Sequence, residues 1–499
     1  MTAVLTEHLP VFVVIAPLFA AFILPTLARK SRLVENLVIL VEIISLAGAT
    51  YLAVLLAGQN GAPVYYTMGG WSAPWGIRLI ADNLAAFFLL VVAIVGLPVA
   101  VFAKGNLEEE IGGKGRIARF YVLYLLLMGA LAGMAVTNDL FNVFVLVEVA
   151  TLSACGLVSA RNHPRAAEAA FTYLILATLG STLVLGSIGF LYITTGHLNM
   201  EFASLELAKI WQSSPHTVWM AASFMLTGFG VKAALFPLHI WLPDAHSMAP
   251  TPGSAVLSGL AVKGYLICLL KVLYNVFGQT LMRQFTVHQV LTVTGIVAIL
   301  AGSILALKQD ELKRRLAYST VAQIGYIVLG FGFVNVRGLG GSLFYLASHA
   351  LIKSTLFLAA GALISATGKK HISELAGVGR KLPVTMAAFT TASLGLVGIP
   401  LFSGFVGKWH LLLGSLDAHN AAAAIVIIVG SVLCATYLFP VLRIAYFEPA
   451  PADQNWHDPG LAQKTALIFL AAAIIIFGIL PEPLLNLAQR AAADLLLLH

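Results

Sequence analysis

GFGVKAALFPLHIWLPDAH, Gly228 to His246, sets Lys232 inside an apolar run with Pro237 five residues later. A run of this kind reads as a membrane span, and a lysine at mid-bilayer costs about 2.5 to 3.5 kcal/mol on insertion scales. The rest of the chain supports the membrane reading. Of 499 residues, 59% are hydrophobic and only 10% are charged, with a mean hydropathy of +0.92, as in a polytopic membrane protein.

Runs able to cross about 30 Å of hydrocarbon fall at 9–28, 36–57, 82–103, 119–136, 139–159, 166–194, 216–241, 252–276, 289–307, 318–335, 339–366, 384–416, 421–446 and 464–481. They predict an all-α fold of about fourteen transmembrane helices. Met1 to His8 has no basic region and no small-residue cleavage site follows, so the first span is expected to be retained. Cys155, Cys268 and Cys434 lie singly in different spans, and their spacing suits packing rather than a metal.

Basic residues set the orientation, because short basic loops stay cytoplasmic. Loops after odd-numbered spans carry 19 of the 29 lysines and arginines, and the opposite loops with the C-terminal tail carry 5. Both termini are therefore expected on the non-cytoplasmic side of a cell inner membrane. The net charge of +7 is mostly this topology signal and gives no reason to invoke nucleic acid.

Lys232, Lys263, Lys271, Lys353 and Lys408 remain, all inside predicted spans. Lys271 is near a span end and is expected to snorkel; Lys232, Lys263 and Lys408 lie deeper, beside helix breaks. Glu148, near the middle of span five, is the expected countercharge of Lys232, each lowering the other's cost of burial. Glu42 in span two has no evident partner and is expected either to face a neighbouring subunit or to snorkel.

Pro237, Pro250, Pro252 and Pro400 free carbonyls that lipid cannot satisfy, so protein or water must lie alongside. Breaks beside charges in two separated segments point to discontinuous helices and inverted repeats, with spans four to eight and nine to thirteen as candidates and Lys232 and Lys408 on corresponding broken helices. In span eleven, His349 and Lys353 are four apart and share a helical face. Histidine both accepts and donates near neutral pH, which suits a relay between lysines.

Four motifs then resemble the antiporter-like subunits shared by Mrp-type cation/proton antiporters, respiratory complex I and membrane-bound hydrogenases. They are NDLFNVFVLVEV around Glu148; VKAALFPLHIWLPDAHSMAPTPGSAVLSGLAVK from Lys232 to Lys263; DELKRRLAYSTVAQIGY from Asp310 to Tyr326; and GIPLFSGFVGK ending at Lys408. The resemblance runs from Asp82 in ADNLAAFF to that last motif. The first two motifs, with FYLASHALIKSTLFL, are most similar to the D-type member of the Mrp antiporters and its hydrogenase counterpart.

The resemblance implies fourteen helices with two inverted five-helix repeats, each holding a half-channel. The expected division is 1–118 for the first three helices, 119–276 and 289–446 for the repeats, and 447–499 for the last helix and tail. By the same resemblance Glu148 and Lys232 form a regulatory ion pair, Lys263 is the central protonatable lysine, His349 bridges, and Lys408 is terminal; Lys353 joins the expected site through its place one turn from His349. Asp82, His239, Asp244, Pro237 and Pro400 are supporting residues.

Two departures stand out: Leu401 follows Pro400 where relatives often have a second proline, and Tyr345 stands where many complex I relatives carry a second histidine. The chain ends about eighteen residues after its last span, so the long lateral helix of the largest relatives is not expected.

The expected function is proton translocation in a multisubunit membrane complex, foremost Mrp-type antiport of protons against sodium. The alternative is a proton- or sodium-pumping subunit driven by redox chemistry in partner chains. No metal, cofactor, nucleotide or cluster motif is evident, so a redox centre in this chain is not expected. A haem- or quinone-binding enzyme would need paired ligands that the histidines do not supply in sequence, and a purely structural anchor would tolerate neutralisation of the buried charges.

Overall fold

The computed structural model describes residues 2–161, 163–450 and 456–497. Helices α1 (Thr2–Ile23) and α2 (Ser31–Gly58) lead to a hairpin of β1 (Val64–Thr67) and β2 (Arg78–Ala81), antiparallel with Val64 opposite Ala81. Then come α3 (Asn83–Glu110), α4 (Lys114–Val136), α5 (Leu140–Val158), α6 (Pro164–Thr195), α7 (Met200–Ile210), α8 (Pro215–Lys232) and α9 (Leu242–Met248). A segment from Thr251 to Gln284, almost wholly buried as far as Gly278, joins α10 (Thr251–Val256), α11 (Val262–Val272) and α12 (Gly278–Gln284) through π-helical turns at Leu257–Ala261 and Leu273–Phe277.

The second half holds α13 (Val287–Leu307), α14 (Leu312–Phe331), α15 (Val336–Thr367), α16 (Val378–Lys381), α17 (Pro383–Val397), α18 (Ser403–Asp417) and α19 (Ala421–Phe447). Helices α20 (Leu461–Ile479) and α21 (Glu482–Leu497) follow. The chain is an all-α polytopic membrane protein. Large apolar side chains such as Phe12, Phe19, Ile43, Phe171, Ile193, Ile425 and Val432 stay exposed, as a lipid-facing surface requires.

Each of the fourteen expected spans contains a helix, and among the described residues eleven helical segments, Thr251–Gln284 counted as one, are long and apolar enough to cross a membrane. The other three expected spans correspond to α8, α14 and the α17–α18 pair. Span 216–241 is not one helix, because α8 stops at Lys232 and residues 233–241 run through turns before α9. Span 384–416 is split between Val397 and Ser403. Helix α14 begins at Leu312, ahead of its expected start, because Lys313, Arg314 and Arg315 fill its first turn and lower its local hydropathy.

The chain repeats its own architecture. The amide of Leu140 donates to the carbonyl of Leu198 and that of Met200 to Asn138; 172 positions on, Leu312 donates to Lys370 and Ile372 to Asp310. Helices α6 and α15 are both 32 residues long and both stop at a left-handed glycine, Gly196 (φ 74°) and Gly368 (φ 70°), the conformation that glycine adopts without a Cβ clash. Arg161, just past the C-terminus of α5, shares a cavity with Glu311 and Lys313 at the start of α14. Helix α5 thus ends on the side where its counterpart α14 begins, so the second unit is inverted.

The breaks leave carbonyls to be satisfied. At the first, the Trp241 indole donates to the carbonyl of Val231 (2.9 Å). At the second, the Lys408 ammonium reaches back to Leu396 (2.9 Å) and Val397 (3.1 Å). Lys232 is the last residue before its break, whereas Lys408 lies in the half-helix after the other, so the two lysines do not hold equivalent positions. Leu401, at φ 77°, has a backbone that proline cannot adopt, which accounts for the single proline of this break.

The units meet where α10 and its π turn press on α15. A Cβ on Gly361 would lie 2.0 Å from Cγ2 and 2.1 Å from Oγ1 of Thr251, so only glycine fits. Gly361→Ala is expected to cost about 1–3 kcal/mol by overpacking, read as a lower melting temperature of the purified complex. Thr251→Ala, which deletes both nearest atoms, should recover part of the loss; unchanged melting of the single variant would contradict this seam.

Candidate functional site

Glu148 lies on α5, and its carboxylate accepts from the Lys232 ammonium at 3.3 Å and from the Ser181 hydroxyl of α6. Lys232 is fully buried while the Glu148 side chain is 30% exposed, so the expected pair exists with one end shielded and the other open. Lys232 also donates to the Thr151 hydroxyl at 2.6 Å, one helical turn beyond Glu148. Thr151 in turn contacts the Tyr265 hydroxyl (3.3 Å) on α11, over whose ring the Lys232 ammonium sits at 5.9 Å. Hydroxyls therefore lead from the pair toward the helix that carries Lys263.

Lys263, fully buried, donates to the carbonyl of Ser258 inside the π turn. A π turn shifts the i→i−4 ladder by one residue, which is why such turns recur at functional sites. The Ser258 hydroxyl meets that of Thr320 on α14 at 2.9 Å. Lys353 of α15 donates to the Leu316 carbonyl (2.7 Å) and to the Ser319 hydroxyl of the same helix. The charges of Lys263, Lys353 and Lys408 all act on His349, which is buried with neither ring nitrogen bonded. The expected bridge thus stands among three lysines with both nitrogens open.

Lys408 closes the series, bonded to Ser431 (3.1 Å) as well as to the break carbonyls, with its ammonium 4.7 Å from the ring centre of Tyr326 and 5.9 Å from that of Tyr345. Tyr345 stacks on His349 at 6.2 Å, and its hydroxyl donates to Gln323. The residue that replaces a second histidine therefore stays in the polar line as a hydrogen-bonding group.

Supporting residues divide. Asp82 caps α3 by accepting from Ala85 (2.8 Å) and acts electrostatically on Lys271. Asp244 pairs with Arg314 (3.0 Å) at the surface, tying α9 to α14. His239 stacks on Phe236 at 5.1 Å in the first break, beside Pro237. Pro400 lies in the second break.

Lys271 does not snorkel. It is 3% exposed and bonds the carbonyls of Ala135 (2.9 Å) and Thr137 at the C-terminus of α4. Glu42 does not snorkel or face outward either, being 1% exposed inside the bundle of α1 to α4.

Sequence reasoning misses His246. It is buried with both nitrogens unbonded and lies within electrostatic reach of Lys263, Lys313 and Lys353; the signal available is its place between Pro243 and Pro250 in the longest motif. The next residues, Ser247 and Met248, line a cavity of about 200 Å³ that also holds Glu110, Arg161 and Lys313. There Glu110 pairs with Arg161 and accepts from the Thr251 amide (3.0 Å).

This line of buried lysines can be set against known proteins. Residues 137–434 match the family described as NADH:quinone oxidoreductase/Mrp antiporter, TM. The chain belongs to that family. It is 40% identical to NADH-quinone oxidoreductase subunit N of Desulforudis audaxviator (strain MP104C), across 98% of this chain and 99% of that protein. Identity is 28% to the putative antiporter subunit mnhD2 of Staphylococcus haemolyticus (strain JCSC1435), across 98% and 95% respectively.

Among solved structures, a chain of the Mrp complex from Dietzia sp. DQ12-45-1b superposes with a TM-score of 0.88 at 28% identity, covering 99% of this chain and 98% of that one. A chain of the membrane-bound sulfane sulfur reductase, an archaeal respiratory membrane complex, gives 0.90 at 28% identity, with 98% of each covered. The chain is an antiporter-like subunit of the kind found in Mrp and complex I-like assemblies.

The pair geometry sets an order of variants. Glu148→Gln leaves a buried ammonium without its countercharge, a loss of about 3–5 kcal/mol, and should lower ion flux of the assembled complex at least tenfold. Glu148→Asp should retain part of it. Thr151→Val removes one hydrogen bond to a charged group, about 1.5–3 kcal/mol, and should fall between Glu148→Gln and wild type. Equal flux from Glu148→Gln and Glu148→Asp would contradict the charge requirement.

Proposed function

We propose that this chain translocates protons across a cell inner membrane within a multisubunit complex, along Glu148, Lys232, Lys263, His349, Lys353 and Lys408. The supporting observation is one of partners: among the described residues Lys232 is the only fully buried lysine in an ion pair, while Lys263, Lys353 and Lys408 are held by carbonyls and hydroxyls. Carbonyl and hydroxyl oxygens accept from an ammonium and from a neutral amine alike, so Lys263 and Lys353 can change charge without losing their contacts, while a neutral Lys408, with two hydrogens for three acceptors, gives up one.

The units 119–276 and 289–446 each supply one half-channel. With Lys232 against Glu148 the pair is mutually satisfied. When Lys232 turns toward Lys263, like charges repel, and the repulsion favours release of a proton toward His349, whose open nitrogens take it on one side and pass it on from the other. The scale is adequate, because a membrane potential contributes about 2.3 kcal/mol per charge per 100 mV. The distribution of basic residues among the loops supports a topology with both termini on the non-cytoplasmic side.

Antiport against sodium, as in an Mrp complex, is the driving arrangement we favour. One observation favours a second: the 40% relative is named as an oxidoreductase subunit, and in that setting electron transfer in partner chains would drive the same lysines. A sodium gradient imposed on proteoliposomes, compared with a reductant and quinone, separates the two.

Lys263→Ala in the assembled complex should abolish proton flux with subunit composition unchanged, because it deletes the charge on which the transfer depends. Lys408→Met, which keeps length and apolar volume, should block turnover at the far end. Wild-type flux in Lys263→Ala would overturn the lysine pathway, and wild-type flux in Lys408→Met would confine the pathway to the first unit.

A further inference from the structure

Glu42 takes no part in the lysine line, and it lies outside the stretch matched by the family, which begins at residue 137. It is 1% exposed, and neither carboxyl oxygen has a hydrogen-bond partner. The carboxyl lies against bare backbone on α3, where a Cβ on Gly96 would come within 2.7 Å of Oε2. The facing phenol, Tyr124 on α4, is already committed, donating to the Gly96 carbonyl at 2.6 Å.

A small cavity opens beside the carboxyl between α1, α2, α3 and α4, lined by Val13, Pro17, Ser45 and Met128 among others. Its volume of about 20 Å³ is enough for one water molecule. Pro17 has no amide hydrogen, so the carbonyl of Val13, one turn earlier in α1, lacks its helical donor. The Glu42 and Ser45 side chains are the polar ones among the lining residues. Ser45 is half-buried, so one wall of the cavity reaches the outer surface of the bundle.

No lysine, arginine or histidine lines this cavity, and an isolated carboxylate in so apolar a setting is prohibitively costly. A hard metal cation would want six or more oxygens, and Val13, Leu89, Val92, Ala93, Met128 and Ala132 do not present a shell of that kind. A proton is the ligand that fits. We propose that Glu42 is a proton-binding site separate from the lysine line, exchanging its proton through the water of this cavity. Tyr124 is the one other titratable group that faces it among the described residues.

The test uses the intact complex in native membranes treated with a lipid-soluble carbodiimide. The acid proton passes to a carbodiimide nitrogen while the carboxyl oxygen bonds to the central carbon, and the acyl group then migrates to nitrogen as a stable N-acylurea, with nothing lost. Peptide mass spectrometry should find the adduct on Glu42, to an equal extent in wild type and in Lys263→Ala, and at no neighbouring position in Glu42→Gln. Infrared difference spectra should show a protonated-carboxyl band that shifts in D2O and is missing from Glu42→Gln.

An unmodified Glu42, or a carboxyl band that does not exchange in D2O, would overturn the proposal. Protection of Glu42 by sodium at fixed pH would also overturn it, marking a cation site instead. Loss of labelling in Lys263→Ala would refute the separation from the lysine line. The site does not depend on the proton pathway, so a failure of that pathway leaves these outcomes readable.

Discussion

A lysine ammonium withdrawn from water must be given acceptors, and within a bilayer only the protein or its enclosed water can supply them. Regular helices offer only the second lone pair of carbonyls already bonded along the ladder, as Leu316 does for Lys353. Places where the ladder fails offer free carbonyls and hold other buried lysines. The ammonium of Lys271 rests on the C-terminus of α4, that of Lys263 on a carbonyl of the π turn and that of Lys408 on the carbonyls of the α17–α18 break. The interruptions and the charges are two sides of one requirement.

That requirement also separates the roles. At the first break the Val231 carbonyl accepts from the Ala234 amide and the Trp241 indole, and Lys232 binds Glu148 and Thr151 on α5. At the second break the lysine itself takes the freed carbonyls. The two inverted units thus end in unlike sites: a lysine bound to a carboxylate, and a lysine bound to neutral oxygens. An ion pair favours the charged form of both partners, whereas neutral oxygens accept from an ammonium and from an amine.

Much of this is legible in the residues. Charged positions inside apolar runs point to the Glu148–Lys232 pair and the lysine series, because a buried charge is conspicuous wherever it falls. Acceptors are harder to see: Ser258, Ser319, Thr320 and Gln323 are ordinary residues until α10, α14 and α15 pack together. Lys271 misleads because its distance to the interface is visible in sequence and the end of α4 beside it is not. Glu42 misleads for the same reason, as only the packing of α1 and α2 on α3 and α4 turns it inward. The amphipathic α21, which buries Leu484, Ala488, Ala491, Ala492 and Leu495, carries a helical period that hydropathy alone passes over. The repeat shows in sequence only through its prolines, since its surest signature is a pair of backbone bridges, Asp139 with Asn199 and Glu311 with His371, which no side-chain pattern announces.

Exchange of the two charges in the first unit bears most directly on this account. Ion flux would be measured in proteoliposomes containing the assembled complex with Glu148→Lys, with Lys232→Glu, and with both substitutions together. Each single change places like charges side by side and should stop transport, while the double variant restores an opposite pair across the same 3.3 Å contact and should recover a clear part of the wild-type rate. A double variant no better than either single change, with assembly intact, would contradict the ion pair as the element that controls the lysine line.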